Sequence, residues 1–169
     1  MSDELIFVVD ENNSPLPALP RSKVIAKRLY CRVSSVTVVN LKNKTVLCQK
    51  RSDTKDERPG FWITQFGGKS DPGEKSIITA QRELREEIGI NATQKDLKFF
   101  TFDKSVDRRQ FGYYYYHDYH GSDIDLKPDP EEVSEVKWIS IKNAINYLKT
   151  DPKWYSYGQD IPLLQSFIS

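Results

Sequence analysis

The sequence predicts a single α/β domain built on a mixed sheet and spanning residues 1–169. Three features carry that reading. At 169 residues the chain is long enough for one domain with a substantial core. Strand-like and helix-like stretches interleave along it instead of segregating, which suits a mixed sheet covered by helices. One segment, Ser76–Ile88, has unbroken helical periodicity and follows a glycine-rich loop.

The elements follow in order. LIFVVD, Leu5–Asp10, reads as a short strand. Asn12–Arg21 carries three prolines, so residues 1–30 form an N-terminal strand and a proline-rich crossover. RVSSVTVVN, Arg32–Asn40, alternates and is β-branched, and after the turn residues LKNK the stretch TVLCQKR is its hairpin partner. Arg51–Gly60 is a polar loop closed by Pro59-Gly60, and FWITQF, Phe61–Phe66, is a short strand. Gly67–Lys75 leads into the helix over 76–88, which Gly89 stops. LKFFTFDK and QFGYYYYHDYH are two more strands joined by a polar turn. Asp123–Glu132 is too rich in acid and proline to be regular. EVKWIS is then a strand, SIKNAINYLKT a helix and PLLQSFIS a terminal helical turn.

Composition narrows the function classes. A net charge of +1 argues against a broad footprint on duplex nucleic acid. Two cysteines, Cys31 and Cys48, make no disulfide framework, which fits a reducing, cytoplasmic setting. MSDELIFVVDE lacks the basic and apolar regions of a signal peptide. No stretch approaches the roughly 18 apolar residues of a membrane helix. Monomer and homodimer are both open.

The helix poses the chemical question. At about 100° per residue, Ile77, Ala80, Leu84 and Ile88 share one apolar arc. Glu83, Glu86 and Glu87 form a polar stripe beside it with Ser76 and Thr79. Like charges at this spacing repel, and lysine spacers are absent from the stripe. The cations within reach are Arg82 and Arg85. A solvated face is the plain reading. A hard divalent cation is the alternative, because Mg²⁺ takes oxygen ligands, keeps several waters and bridges to phosphates. Two carboxylates about 6 Å apart repel by roughly 3 kcal/mol at an effective dielectric of 20, and an ion between them reverses that sign. The glycine loop just ahead lets backbone approach a ligand closely.

From Gly68 the spacing runs Gly68, five residues, Glu74, seven residues, Arg82-Glu83-Leu84-Arg85-Glu86-Glu87-Ile88-Gly89-Ile90. Every defined position of the Nudix box, GX5EX7REUXEEXGU, is met over residues 68–90, so the chain resembles the Nudix hydrolases. That resemblance implies an α/β/α sandwich. It implies cleavage of a diphosphate linkage in a nucleoside diphosphate or other small phosphorylated substrate, by water attack on phosphorus with Mg²⁺ or Mn²⁺ as cofactor. It places the metal on Glu83, Glu86, Glu87 and the Gly68 carbonyl, and makes Glu74 and Arg82 the brace between loop and helix. Glu83 and Glu86, with Arg82 and Glu74, are then the catalytic set. A box glutamate is the expected base, with Glu131 or Glu132 of the acidic loop as alternatives; a solvated loop is the competing reading of those two.

QKRSDTKDERPGFW and the N-terminal LIFVVDENNSPL are similar to the branch holding isopentenyl diphosphate isomerases and their hydrolase relatives. The resemblance makes Arg51 and Lys55 contacts to the substrate diphosphate, chemistry that suits two cations four residues apart. The isomerase itself uses a cysteine where this chain has Gly67 and a histidine where it has Lys69, so isomerisation is disfavoured. An RNA-end pyrophosphohydrolase and a catalytically silent nucleotide-binding module are further alternatives. His117 and His120 are expected at the surface. Of the tyrosines Tyr113–Tyr116, one alternating pair should pack in the core and the other meet solvent or ligand. Trp62 and the cluster Trp154–Gly158 are expected to pack, and Cys48 to be a buried apolar residue.

Overall fold

Strand β4, Tyr30–Asn40, is the axis of the molecule, whose computed structural model describes residues 3–169. It runs parallel to β9 (Gln110–Asp118) along nine register positions, Cys31–Gln110 to Val39–Asp118. β8 (Leu97–Ser105) pairs antiparallel with β9 and forms the edge. On the other side lie β5 (Thr45–Arg51) and then β10 (Val133–Ser140), both in antiparallel contacts. The sheet is therefore mixed, as expected.

The predicted hairpin of β4 and β5 is present but short. The two strands pair only at Val39–Val46 and Asn40–Thr45, then diverge. Two short strands fill the gap. β6 (Trp62–Ile63) pairs with β5, and β7 (Phe66–Lys69) pairs with β4. FWITQF is thus two strands, not one. The break falls at Thr64 and Gln65, both buried. Side chains serve them: Thr64 Oγ1 donates to Asp160 Oδ2 at 3.4 Å, and Gln49 Nε2 donates to the Gln65 carbonyl at 2.6 Å. This splay opens the cleft in which the site lies.

Helix α2 (Ser76–Ile88) covers one face of the sheet. Its Ala80, Leu84 and Ile88 are fully buried against Val36, Val38, Leu47 and Phe66. Leu84 and Ile88 each contribute about 1.5–3 kcal/mol on burial. Gly89 ends the helix with φ +75°, and its N–H closes on the Arg85 carbonyl. Helices α3 (Ile141–Thr150) and α4 (Asp160–Ser166) cover the opposite face over Val39, Val46 and Cys48. That is an α/β/α sandwich. Because both faces are covered, VTVVN reads as nearly continuous apolar sequence.

Several local readings need correction. The N-terminal strand is two fragments, β1 (Leu5–Ile6) and β2 (Val8–Val9). The crossover holds a strand, β3 (Leu19–Pro20), and a six-residue helix, α1 (Arg21–Ala26), anchored by buried Val24. Asp123–Asp125 is a short 3₁₀ turn capped by Ser122. Of the tyrosine run, one alternating pair packs in the core as expected, while the other is split between core and cleft. Tyr115 and Tyr113 pack with α2's cluster, Tyr116 packs with that of α3 and α4, and Tyr114 is buried where it borders the cleft. Trp62, Trp154 and Cys48 are core residues, as expected. Among the described residues no helix is long and apolar enough to cross a membrane.

Candidate functional site

A cavity of about 480 Å³ occupies the splay between β4 and β5. Its wall includes Gln49, Arg51, Lys55, Gly67, Gly68 and Glu87. The glycine loop delivers β7 and then α2, so the carboxylate stripe meets the end of β7 from below.

Gly68 pairs with Ser34 on β4, and the carboxylate of Glu83 lies against its Cα. A Cβ at residue 68 would come 2.6 Å from Glu83 Oε1. The missing side chain is therefore the space Glu83 occupies. Glu87 is almost wholly buried behind Gly67. Its Oε2 accepts from Gln49 Nε2 at 3.0 Å, and its Oε1 from the Gly67 N–H at 3.4 Å. Glu86, one turn from Arg82, is exposed.

Arg82 is the hub. Its Nε and Nη2 donate to the two oxygens of Glu74, each at 3.1 Å. Nη1 donates to Glu83 Oε1 at 2.8 Å and Glu86 Oε2 at 3.1 Å, and Nη2 also reaches the Lys69 carbonyl at 3.0 Å. Glu74 further accepts from Thr79 Oγ1 (2.7 Å) and the Asp71 N–H (3.1 Å). Loop and helix are thus tied by one fork, as the sequence suggested for Glu74 and Arg82.

The charges are uneven. Burial works against ionised Glu74, but Arg82, Thr79 and the Asp71 amide outweigh it and hold its pKa below the usual range. Glu83 goes the other way: burial pushes it up to about 7, with Arg82 opposing and Glu86 and Glu132 adding to the rise. Glu87 rises to about 8, first by burial and then by the charge of Glu83. Two carboxyls thus approach neutrality near physiological pH chiefly because burial disfavours their charged forms, with neighbouring acids adding to the rise. Among the described residues no three acidic, histidine or cysteine side chains already converge as a metal cage; Arg82 occupies Glu83 and Glu86 instead.

The donor set still suits a hard cation. It is all oxygen, it is anionic in excess, and the one position where a side chain would intrude is a glycine.

Across the cavity stand Arg51 and Lys55. Arg51 Nε donates to the Glu57 carbonyl at 2.9 Å, leaving its terminal nitrogens without a partner among the described residues. Lys55 is ion-paired with Glu132. Glu131 and Glu132 both border the cavity, so the acidic loop is part of the site and not merely a solvated excursion. The two histidines lie elsewhere. His117 is opposite Val38, four positions along β4 from the Ser34–Gly68 pair, and His120 lies 3.1 Å from Asp118.

Sequence reasoning missed Arg108 and Tyr157. Both border the cavity. Tyr157, expected to pack with the Trp154–Gly158 cluster, packs against Tyr155 but also borders the cleft. Its aromatic-and-glycine context gave no sign of a site 70 residues from Glu87 in the chain.

Gly67 also has a steric reason. A Cβ there would sit 2.1 Å from the Ser34 carbonyl oxygen. Gly67→Ala is expected to cost about 1–3 kcal/mol, read as a lowered urea midpoint at unchanged slope. A midpoint equal to wild type would show that β7 slides freely.

Comparison with known proteins converges on one family. The family described as NUDIX domain matches residues 32–158. An uncharacterised Nudix hydrolase of Pseudomonas aeruginosa is 32% identical over 151 residues, covering 88% of this chain and 86% of its own. An isopentenyl-diphosphate Delta-isomerase of Photorhabdus laumondii is 27% identical over 156 residues, with 91% and 87% covered. The crystal structure of a Deinococcus radiodurans protein superposes with a TM-score of 0.74 at 18% identity, covering 98% of this chain and all of that one. The last likeness speaks for the fold alone.

Proposed function

The chain belongs to the Nudix family of hydrolases acting on pyrophosphate bonds, and from that premise we propose that it is a Mg²⁺-dependent pyrophosphohydrolase of a small phosphorylated metabolite or nucleotide. One observation carries the reading: surplus carboxylate on α2 rests against side-chain-free Gly68, and Gly68, Glu87 and Arg51 border the same cavity.

Glu83, Glu86, Glu87 and the Gly68 carbonyl would hold the ion. A bound Mg²⁺ or Mn²⁺ supplies neutralisation of phosphoryl charge and a lowered pKa for the attacking water. The chain does the rest. Arg51 and Lys55 bind the diphosphate, Arg51 through its free fork and Lys55 after exchanging Glu132 for phosphate. Arg82 fixes Glu83 through Oε1, while Glu83 Oε2 makes no hydrogen bond among the described residues. That oxygen would take the proton lost by water.

The isomerase reading draws on the Photorhabdus relative. Gly67 and Lys69 oppose it, since neither can supply the cysteine or histidine that chemistry needs, and residue 67 has no room for a side chain without movement of β4 or β7.

A panel of nucleoside di- and triphosphates, nucleotide sugars, dinucleoside polyphosphates, coenzyme A and isopentenyl diphosphate, with Mg²⁺ and product identification, tests the proposal. Release of phosphate or a nucleotide from any of them supports it; double-bond migration in isopentenyl diphosphate with no hydrolysis of the panel sinks it. Arg51→Ala and Lys55→Ala are each expected to raise KM about tenfold, the worth of one charge-assisted contact. An unchanged KM in both removes the clamp.

A further inference from the structure

Three cations border the cavity with no carboxylate partner among the described residues: Arg51, Lys69 and Arg108. Arg108 is the most constrained. It sits in the turn between β8 and β9, far in sequence from the Nudix box. Its Nε donates to Ser105 Oγ at 3.1 Å and its Nη2 to the Tyr157 carbonyl at 3.1 Å. Its guanidinium carbon lies 5.5 Å from the centroid of the Tyr157 ring. The guanidinium also lies within reach of the Tyr114 hydroxyl, which donates to Asp103, and still keeps N–H groups to spare; the Tyr157 hydroxyl makes no hydrogen bond among the described residues.

Burial raises the pKa of the Tyr157 phenol; the charges of Arg51 and Arg108 oppose that rise, and Glu57, exposed at the rim, adds to it. Two guanidinium groups brought to one ring repel each other. Neither forms an ion pair with a carboxylate among the described residues, and both retain unused donors. Arg108 is moreover held in place by the protein before any ligand arrives, so little is lost in ordering it. A preset fork beside an open hydroxyl matches a phosphate's oxygens.

We propose that Arg108 and Tyr157 form a subsite, next to the Arg51 clamp, for a phosphate that the substrate carries beyond the diphosphate being cleaved. The inference rests on the hydrolase reading of the same cavity and narrows its substrate class. It selects nucleotides with a third phosphoryl group or with a separate phosphate monoester.

The test uses three matched pairs that differ by one phosphate: ATP and ADP, NADP⁺ and NAD⁺, coenzyme A and its 3′-dephospho form. The first pair reports a contiguous phosphoryl group and the other two a monoester. Affinity is measured in EDTA and turnover in Mg²⁺, for wild type, Arg108→Gln, Arg108→Lys and Tyr157→Phe, with melting temperatures alongside. Wild type is expected to prefer the extra-phosphate member of at least one pair by about tenfold or more, one charged hydrogen-bonded contact. Arg108→Gln brings that ratio close to one, Arg108→Lys keeps part of it, and Tyr157→Phe lowers it while retaining the ring. Equal affinity within all three pairs for wild type overturns the subsite. So does an unchanged ratio in Arg108→Gln, including the case where it weakens both members alike and lowers the melting temperature. A ratio that shifts in binding while neither these pairs nor any member of the wider substrate panel is hydrolysed overturns the hydrolase reading and leaves the subsite standing.

Discussion

Glu87→Gln should lose on the order of a thousandfold in kcat, the several kcal/mol that charge stabilisation by a metal ion is worth, and keep its fold. The substitution preserves shape in a buried slot and removes one charge. It leaves one of the two contacts of Glu87, with Gln49 or with the Gly67 N–H, facing a donor with a donor. That loss is offset by no longer burying a carboxylate. The pH dependence of the metal-free protein provides an independent check. Glu87 and Glu83 are raised from an ordinary value of 4.5 to about 8 and about 7, first by burial. A carboxyl with a raised folded-state pKa holds its proton more tightly in the folded chain than in the unfolded one. Its stabilisation is therefore complete below about pH 4.5 and is lost as pH climbs through 7 to 8. Metal-free wild type should melt several degrees lower at pH 8.5 than at pH 5. Glu87→Gln should flatten that slope, and Mg²⁺ should restore the wild type at the alkaline end. Activity and melting temperature falling together at every pH would make Glu87 a structural residue only.

Arg82→Ala should produce the largest loss of stability. Four carboxylate contacts and a carbonyl contact end on this one guanidinium. Its partners Glu74 and Glu83 have only 12% and 13% of their side-chain surface exposed, so removing it strands two nearly buried acids. Breaking a buried pair costs about 3 kcal/mol or more, roughly 6–12 °C in a domain of this size. Arg82→Lys should recover only part, because an ammonium cannot fork across Glu74 while reaching Glu83. A thermal scan suffices: a fall of less than about 2 °C would mean that solvent screens the cluster far more than its burial implies.

The local parts of this design were legible, and the distant parts were not. Helix α2 follows from its apolar arc and from Gly89, both set within a few residues of chain. The fork between Glu74 and Arg82 was implied by the resemblance to the Nudix box. Thr64 and Gln65 escaped because their bonds go to Asp160 and Gln49, so the break in FWITQF is written outside FWITQF. α1 was hidden by the three prolines ahead of it, although Pro20 sits just outside its first turn and so does not obstruct it. Arg108 and Tyr157 meet only because β9 runs parallel to β4 and α4 returns across the sheet. No window of sequence spans that encounter. Glu132 was legible as an acid but not as the partner of Lys55, 77 residues away.

The short pairing of β4 with β5 divides the labour of the site between kinds of chain. Everything that handles charge on α2 and β7 is encoded in one continuous cassette, residues 68–90. The other groups that border the cavity come from separate segments: the 51–60 loop, the turn at Arg108, the acidic loop at Glu131 and Glu132, and Tyr157. Mutation can therefore retune what is accepted, one segment at a time, while the inherited cassette stays untouched. Lineages diverging from a common ancestor would differ first in those segments, and engineers seeking a new specificity should randomise them before altering any box residue.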